Sequence, residues 1–303
     1  MISRYQYKKL LWVDIESPTH EEIREIMSEF DIHPIVADEL LNPSMRPKVD
    51  HYENLIYLIL HFPAIRHSHE HGTSQEIDFV IGKKFLITVH YETIDALHKF
   101  SKVFEVNSIL DKSNIGEHAG YLFFYMLKKF YASLYHEISA IADALRSAEE
   151  KIFRGEERRM VEELSMINRD LLTIKRSLNM HDRVLESLRI VSNEFFGKEF
   201  SHYTENIIGE YHKVNELVLD QKEVLTELRE TNASLLTTKT NDTIKKLSLF
   251  GYIAAPASLI TWIFAIDTVK PVVDMPHAFW IILLMMIGSS AIAYLIARLK
   301  KWI

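Results

Sequence analysis

Three histidines at alternate positions, His67, His69 and His71, are the residues whose type and spacing most directly suggest chemistry. Neutral imidazoles bind zinc and related metals well, and Glu70 lies among them. Ligands at every second residue of a loop, with no second ligand group close in sequence, leave two readings open: a solvated hairpin loop, or an incidental or regulatory metal site. No stretch carries a catalytic constellation. There is no P-loop, glycine-rich dinucleotide turn, nucleophile elbow or HExxH helix. The chain has no cysteine, which removes disulfides and thiolate metal sites. An enzyme is the least favoured class, and the lack of an ATP site argues against a primary pump.

The elements that organise the chain lie near its C-terminus. Leu247 to Ile266 reads LSLFGYIAAPASLITWIFAI, without a charged side chain. Its length of about 20 residues matches the hydrocarbon thickness of a bilayer at about 1.5 Å per helical residue. A second charge-free run, Phe279 to Ala297, follows after a short loop, so the pair reads as a hairpin of two transmembrane helices. Lys239, Lys245 and Lys246 precede the first span, and Arg298, Lys300 and Lys301 follow the second. The loop has one lysine, Lys270, beside Asp267 and Asp274. By the positive-inside bias both ends face the cytoplasm, with basic residues ringing the membrane there. The expected location is the inner membrane, with the protein crossing twice.

With 303 residues, 48% of them hydrophobic, the chain can bury a sizeable core beside the hairpin. Its net charge of −7 argues against nucleic acid as a partner, because phosphate-binding domains carry clustered surplus Lys and Arg. The opening stretch MISRYQYKKLLWVDIE lacks the apolar core of a signal peptide, so a cytosolic start is expected.

Leu10–Ile15 predicts a strand. Ser17 to Glu22 predicts a helix start, with Ile23, Ile26, Met27 and Phe30 at helical spacing. A second short helix is expected over Pro34–Leu41, ended by Asn42-Pro43. Strand-like runs follow at Val49–Tyr52, Leu55–Phe62 and Ile77–His90, the last with a turn at Gly82-Lys83-Lys84. Together they predict a mixed sheet flanked by helices. Long helical periodicity then covers Tyr121–Phe153, about Glu157–Phe195, and a third stretch that runs unbroken from near Ser201 into the first span.

The fold class expected is an α+β cytosolic domain with a long helical stalk and two C-terminal transmembrane helices. The boundaries drawn are 1–118 for the α/β domain, 119–246 for the stalk, 247–267 for the first span, 268–278 for an extracytoplasmic loop, 279–297 for the second span and 298–303 for a basic tail.

Along nearly its whole length the chain resembles the CorA-type, two-transmembrane magnesium transporter family. The resemblance is carried by PKVDHYENLIYLILH, DFVIGKKFLITVH, the long helix ending in KTNDTIKKLSLFGYIAAPASLI, Met275-Pro276 in the loop, and the terminal KKWI. It implies a funnel-shaped homopentamer whose first spans line a central pore, with bound magnesium holding the pore closed. The partners expected are other copies of the chain, the lipid bilayer and divalent cations.

By the resemblance Asn241 rings the cytosolic pore mouth, and Pro256 bends the pore helix by removing an i to i−4 bond. Ile244, Leu247 and Gly251 would continue the lining on the cytosolic side, and Ala255, Ser258 and Trp262 toward the outside. Leu247 is the expected hydrophobic gate. Lipid contact or interhelical packing is the alternative for the apolar members of this set.

The family ends its first span with Gly-Met-Asn, and this chain departs from that signature with Ala265-Ile266-Asp267. The loop's Met-Pro-Glu becomes Met275-Pro276-His277, and Trp262 stands where a small residue is expected. Five aspartates in a ring would hold divalent cations more firmly and less selectively than neutral amides, with pH-sensitive occupancy. Asp267 capping the helix in solvent is the alternative.

For regulatory magnesium the resemblance points to Asp95, with Glu92 nearby, and to Glu205 and Asn206 on the long helix of a neighbouring subunit. The expected cargo and regulator is Mg²⁺. Alternatives are a Zn²⁺ or Co²⁺ carrier, supported by the histidine loop and His277, and a non-conducting scaffold or modulator plugged by Trp262.

Overall fold

The computed structural model describes residues 1–44, 46–64, 74–109, 116–265, 277–300 and 302. The histidines at 67, 69 and 71, Ile266, Asp267, Lys270, Asp274, Met275, Pro276 and Lys301 lie outside the described residues. The chain divides into two compact units, Met1–Arg229 and Glu230–Ile303.

The first unit is built on six strands: β1 (Ile2–Tyr7), β2 (Leu10–Glu16), β3 (Lys48–His51), β4 (Leu55–Pro63), β5 (Ser74–Gly82) and β6 (Phe85–His90). Their spatial order is β1-β2-β6-β5-β4-β3, with β2 parallel to β6 and every other neighbour antiparallel. The sheet is mixed, as expected. β4 and β5 sit inside it and are buried on both faces, which explains their near-continuous apolar runs.

Alternate residues of those strands serve different layers. Leu55, Tyr57, Ile59, Val80, Ile87 and Val89 form one core with α1 (His20–Phe30) and α2 (Pro34–Glu39). Thr19 and Glu22 close a reciprocal capping box at the start of α1, worth about 1 kcal/mol. The opposite face of the sheet presents Trp12, Phe62 and Phe79. Trp12 packs against Phe100 and Phe104 of α3 (Asp95–Ile109); Phe62 and Phe79 meet Phe130 and Phe123 of α4 (Ala119–Phe153). α5 (Glu157–Leu178) and α6 (His181–Phe196) complete that layer by packing on β4.

The periodicity from about Glu157 to Phe195 is not one helix: α5 ends at Leu178 and α6 begins at His181. Asn179 and Met180 include neither glycine nor proline, so no local breaker marks the turn. The break belongs to tertiary structure: His181 is fully buried, with Nε2 2.8 Å from the His61 carbonyl and Nδ1 2.8 Å from the Tyr131 hydroxyl. β1 and α3, which the sequence pattern had not suggested, also belong to this unit.

A single 3-10 turn, Lys198–Phe200, leads into α7 (Ser201–Phe264), 64 residues without interruption, and α8 (Ala278–Leu299) follows. α7 contributes to both units. The second unit holds its C-terminal part, α8 and the residues after it.

Candidate pore face and cation-handling residues

Seven positions of α7 are of interest: Asn241, Ile244, Leu247, Gly251, Ala255, Ser258 and Trp262. They are separated by three or four residues, which on an α-helix gathers them into one stripe about 120° wide. Every one of them is exposed in the single chain, Leu247 at 70% and Trp262 at 76%. The half-buried residues of the same segment are Leu249, Ile253, Ala254, Pro256, Ala257, Ile260 and Phe264, and they fall on the other side of the helix. That side carries the packing within the unit, close to where the Thr261 hydroxyl meets the Met286 sulfur at 3.7 Å. Ala278, Ala293 and Ala297 are the buried residues of α8, and small side chains let apolar helices approach closely. α8 therefore leaves the Asn241–Trp262 stripe uncovered.

The segment suits a medium without water. Ser258 and Thr261 return their hydroxyls to the carbonyls of Ala254 and Ala257, at 3.2 and 3.0 Å, so neither donor is stranded. Pro256 lies inside α7 and has no N–H for the Tyr252 carbonyl. Both α7 and α8 hold windows long and apolar enough to cross a membrane. Those windows are 0% and 6% buried within the chain, so they are not core helices of a soluble fold.

Of the basic residues, Lys245 and Lys246 are exposed on α7, Arg298 lies in the last turn of α8 and Lys300 just follows it. The Lys300 ammonium sits 5.6 Å from the centre of the Trp302 ring, which in turn meets Tyr252 edge-on at 5.6 Å. Ala265 is exposed immediately after α7, and His277 precedes α8 with a left-handed φ of 88°.

The residues expected to hold regulatory metal are spread out. Glu92 accepts a hydrogen bond from Gln75 Nε2 at 3.3 Å; Asp95 opens α3 beside a small pocket lined by Gln75, Ile77 and Phe130. Glu205 accepts from the Ser201 hydroxyl at 3.3 Å, and Asn206 is exposed beside it. Among the described residues no three His, Asp or Glu side chains converge as a metal site.

A polar cluster that the sequence reading passed over lies inside the first unit. Asp78 is completely buried on β5, and the Tyr91 hydroxyl donates to its Oδ2 at 3.1 Å. Burial and the neighbouring Glu76 charge push the Asp78 carboxyl well above the usual range, and burial also raises Tyr57 and Tyr91. The signal was available: two acids, Glu76 and Asp78, interrupt the apolar run of a strand flanked on both sides.

The sequence profile described as "CorA-like Mg2+ transporter protein" matches residues 7–299. The chain belongs to that family. The cobalt/magnesium transport protein CorA of Methanocaldococcus jannaschii is 23% identical over 298 residues, covering 97% of this chain and 92% of the relative. The complete structure of the CorA magnesium transporter from Methanocaldococcus jannaschii superposes with a TM-score of 0.82 at 22% identity, covering 99% of this chain and 93% of that one. The full-length CmaX protein has the same fold at a TM-score of 0.74 and 18% identity, over 97% and 89% of the two chains. The family is one of divalent-cation transporters of the membrane and not of enzymes, and the uncovered α7 stripe of this chain occurs in the fold of the Methanocaldococcus jannaschii CorA magnesium transporter.

Proposed function

We propose that five copies of the chain surround a water-accessible axis and conduct Mg²⁺ passively into the cytoplasm. The observation that supports this reading most is the stripe from Asn241 to Trp262, exposed along its whole length on a helix whose half-buried residues lie on the other side. Copies of α7 meeting along that stripe would enclose a path with Asn241 at its cytosolic mouth, an apolar ring at Leu247, and Ala255 and Ser258 beyond. A narrow ring of leucines blocks ions by dewetting, which makes Leu247 the gate. The lysines before the first span and Arg298, Lys300 and Lys301 after the second support an orientation with both termini in the cytoplasm, in an inner membrane. Influx then follows the potential, gaining ~2.3 kcal/mol per charge per 100 mV.

At the outer end Ala265, Ile266 and Asp267 replace the amide-bearing signature. A ring of carboxyl groups attracts divalent cations in general, so discrimination of Mg²⁺ from Co²⁺ or Zn²⁺ is weak. Cytosolic Mg²⁺ held between Asp95 and Glu92 of one subunit and Glu205 and Asn206 of the next closes the pore, and with one carboxyl fewer than an all-acid site it does so weakly.

Trp262 favours a second reading. Its indole is the bulkiest group on the stripe and 76% exposed, so five of them at one level would plug the axis and leave a metal-responsive scaffold. Flux into liposomes loaded with a magnesium-sensitive dye separates the two, comparing the native chain with Trp262→Gly and Asp267→Asn. Native flux carries the channel reading; flux only after Trp262→Gly carries the plugged scaffold. No flux in any of the three overturns conduction, and an unchanged ion ranking after Asp267→Asn overturns the role of the aspartate ring.

A further inference from the structure

Tyr252 and Trp302 meet within the second unit, where Pro256 interrupts the backbone ladder of α7. Pro256 has no N–H to give the Tyr252 carbonyl, and its ring crowds that same carbonyl. Sharp bends in long helices gather at such breaks, so the segment from Tyr252 to Pro256 is a hinge. On its N-terminal side lies the arm that carries Leu247, five residues and about 7.5 Å of helix from Tyr252.

The tail after α8 reaches that hinge and is itself tied down. Lys300 N–H donates to the Ile296 carbonyl and Trp302 N–H to the Ala297 carbonyl, both at 3.0 Å, so the chain turns back at the end of α8. Ala297 has no exposed surface, which places the acceptor for Trp302 on the packed side of that helix. The indole then meets the Tyr252 ring edge-on, with centroids 5.6 Å apart and planes at 75°, while the Lys300 ammonium lies 5.6 Å from its centre. Edge-on pairs and cation–π contacts depend on ring orientation as well as on burial. Trp302 is 45% exposed, so little area is buried, and what the contact supplies is a fixed distance between the end of α8 and the hinge of α7.

We propose that Trp302 is a positioning residue for the gate: by gripping Tyr252 it holds the Leu247 arm of α7 in line across the Pro256 hinge. The inference rests on the reading of Leu247 as a dewetting constriction. A ring of five leucines is narrowest when all five arms align, so a single arm bent at Pro256 opens a gap in it. Interfacial tryptophans also anchor helices at the headgroup level. An anchor of that kind acts on α8 alone and is indifferent to Pro256, whereas Trp302 touches the very residue whose carbonyl Pro256 leaves without its helical donor.

Magnesium flux and amide hydrogen exchange, both on the full chain in liposomes, test it. An aromatic pair of this kind biases a two-position equilibrium by roughly two- to tenfold, and Trp302→Ala should raise basal leak and speed exchange across residues 247–258 by about that factor. Trp302→Phe keeps an edge for Tyr252 and stays near the native values. Tyr252→Leu matches Trp302→Ala, and the double substitution adds nothing to either. Pro256→Ala restores the hydrogen bond to the Tyr252 carbonyl, so in that background Trp302→Ala changes neither readout. Native leak and native exchange in Trp302→Ala overturn the proposal, as does an equal effect with and without Pro256. If Pro256→Ala does not assemble, the Tyr252 and Trp302 pair decides, and additive effects overturn it. Leu247→Asn examines the pore separately: if neither it nor the native chain passes Mg²⁺, conduction falls, and exchange alone judges the brace.

Discussion

Tyr131 donates its hydroxyl hydrogen to Nδ1 of His181 at 2.8 Å, and both side chains are sealed from solvent. Because Nε2 of the same ring gives its hydrogen to the His61 carbonyl at 2.8 Å, the tautomer of His181 is settled by its two partners, one on α4 and one on β4. Complete burial holds the imidazole neutral, with its pKa lowered to about 4.

That contact sets an acid limit on the first unit. An unfolded histidine titrates near 6.5, so between about pH 6.5 and 4 the unfolded chain binds a proton that the folded one refuses, and stability falls as pH drops. The expected loss attributable to His181 is about 3 kcal/mol across that window. His118, lowered to about 4 by burial, acts in the same direction. His90 is raised by its Asp14 partner against the cost of burial, and acts oppositely. Denaturant midpoints of native chain and His181→Phe, measured from pH 7 to about pH 4.5, isolate the contribution. The variant shows the shallower pH slope; identical slopes would contradict the assignment.

Asp78 carries the reverse dependence. Its folded pKa is raised, by burial first and by Glu76 second, so the penalty of ionising it grows as pH rises above the ordinary carboxyl range. Asp78→Asn keeps an acceptor for the Tyr91 hydroxyl and removes the penalty. The variant should therefore melt higher than the native chain at pH 8, with the difference shrinking toward pH 5. A difference that does not change with pH would rule out the buried carboxyl as its source.

Trp12 has no exposed surface, donates from Nε1 to the Thr88 hydroxyl at 3.0 Å and meets the rings of Phe100 and Phe104. Trp12→Ala should cost about 3–5 kcal/mol by leaving a cavity. Trp302→Ala should cost far less, since Trp302 is 45% exposed and touches Tyr252 at an edge. Unfolding midpoints at unchanged m-value check the contrast.

Much of this architecture was legible because it depends on local pattern. The apolar runs of β4, β5 and β6 are long and bounded by turn residues at Gly82-Lys83-Lys84, and the charge-free stretches of α7 and α8 have one physical explanation each. What escaped was non-local. β1 is an edge strand whose residues are half-buried or exposed except Tyr7, so ISRYQY shows little apolar signal. The α5–α6 break is made by His181 reaching His61 and Tyr131, partners at sequence distances of 120 and 50 residues. A cleft beside Glu76 joins β5 to Arg176, a hundred residues on, and no window of sequence contains both. The family resemblance drew on the same long elements; Asp78 stood in the Ile77–His90 run for its apolar pattern alone, and Glu76 fell just before that run.

Leu247 gives a functional prediction. If its side chains form the dewetting constriction, Leu247→Asn wets the ring and raises basal cation leak in the liposome assay on the order of tenfold or more, since tenfold requires only about 1.4 kcal/mol off the barrier. Leu249→Asn, on the packed side of the helix, should lower yield of the assembled protein without opening a leak. Equal leak from both substitutions would remove Leu247 as the gate.

The chain has no cysteine, so a single introduced thiol reports on one position alone. The measurement is modification of such thiols in reconstituted protein by a membrane-impermeant cationic thiol reagent, read as reaction rate and as loss of Mg²⁺ flux. Ser258→Cys and Ala255→Cys, on the uncovered stripe, should react, lose flux on reaction and be slowed by Mg²⁺, while Ile253→Cys and Ile260→Cys stay inert. Inert stripe positions, or equal reactivity on both sides of α7, would mean that the stripe faces lipid or a neighbouring helix and that no conduit runs along it.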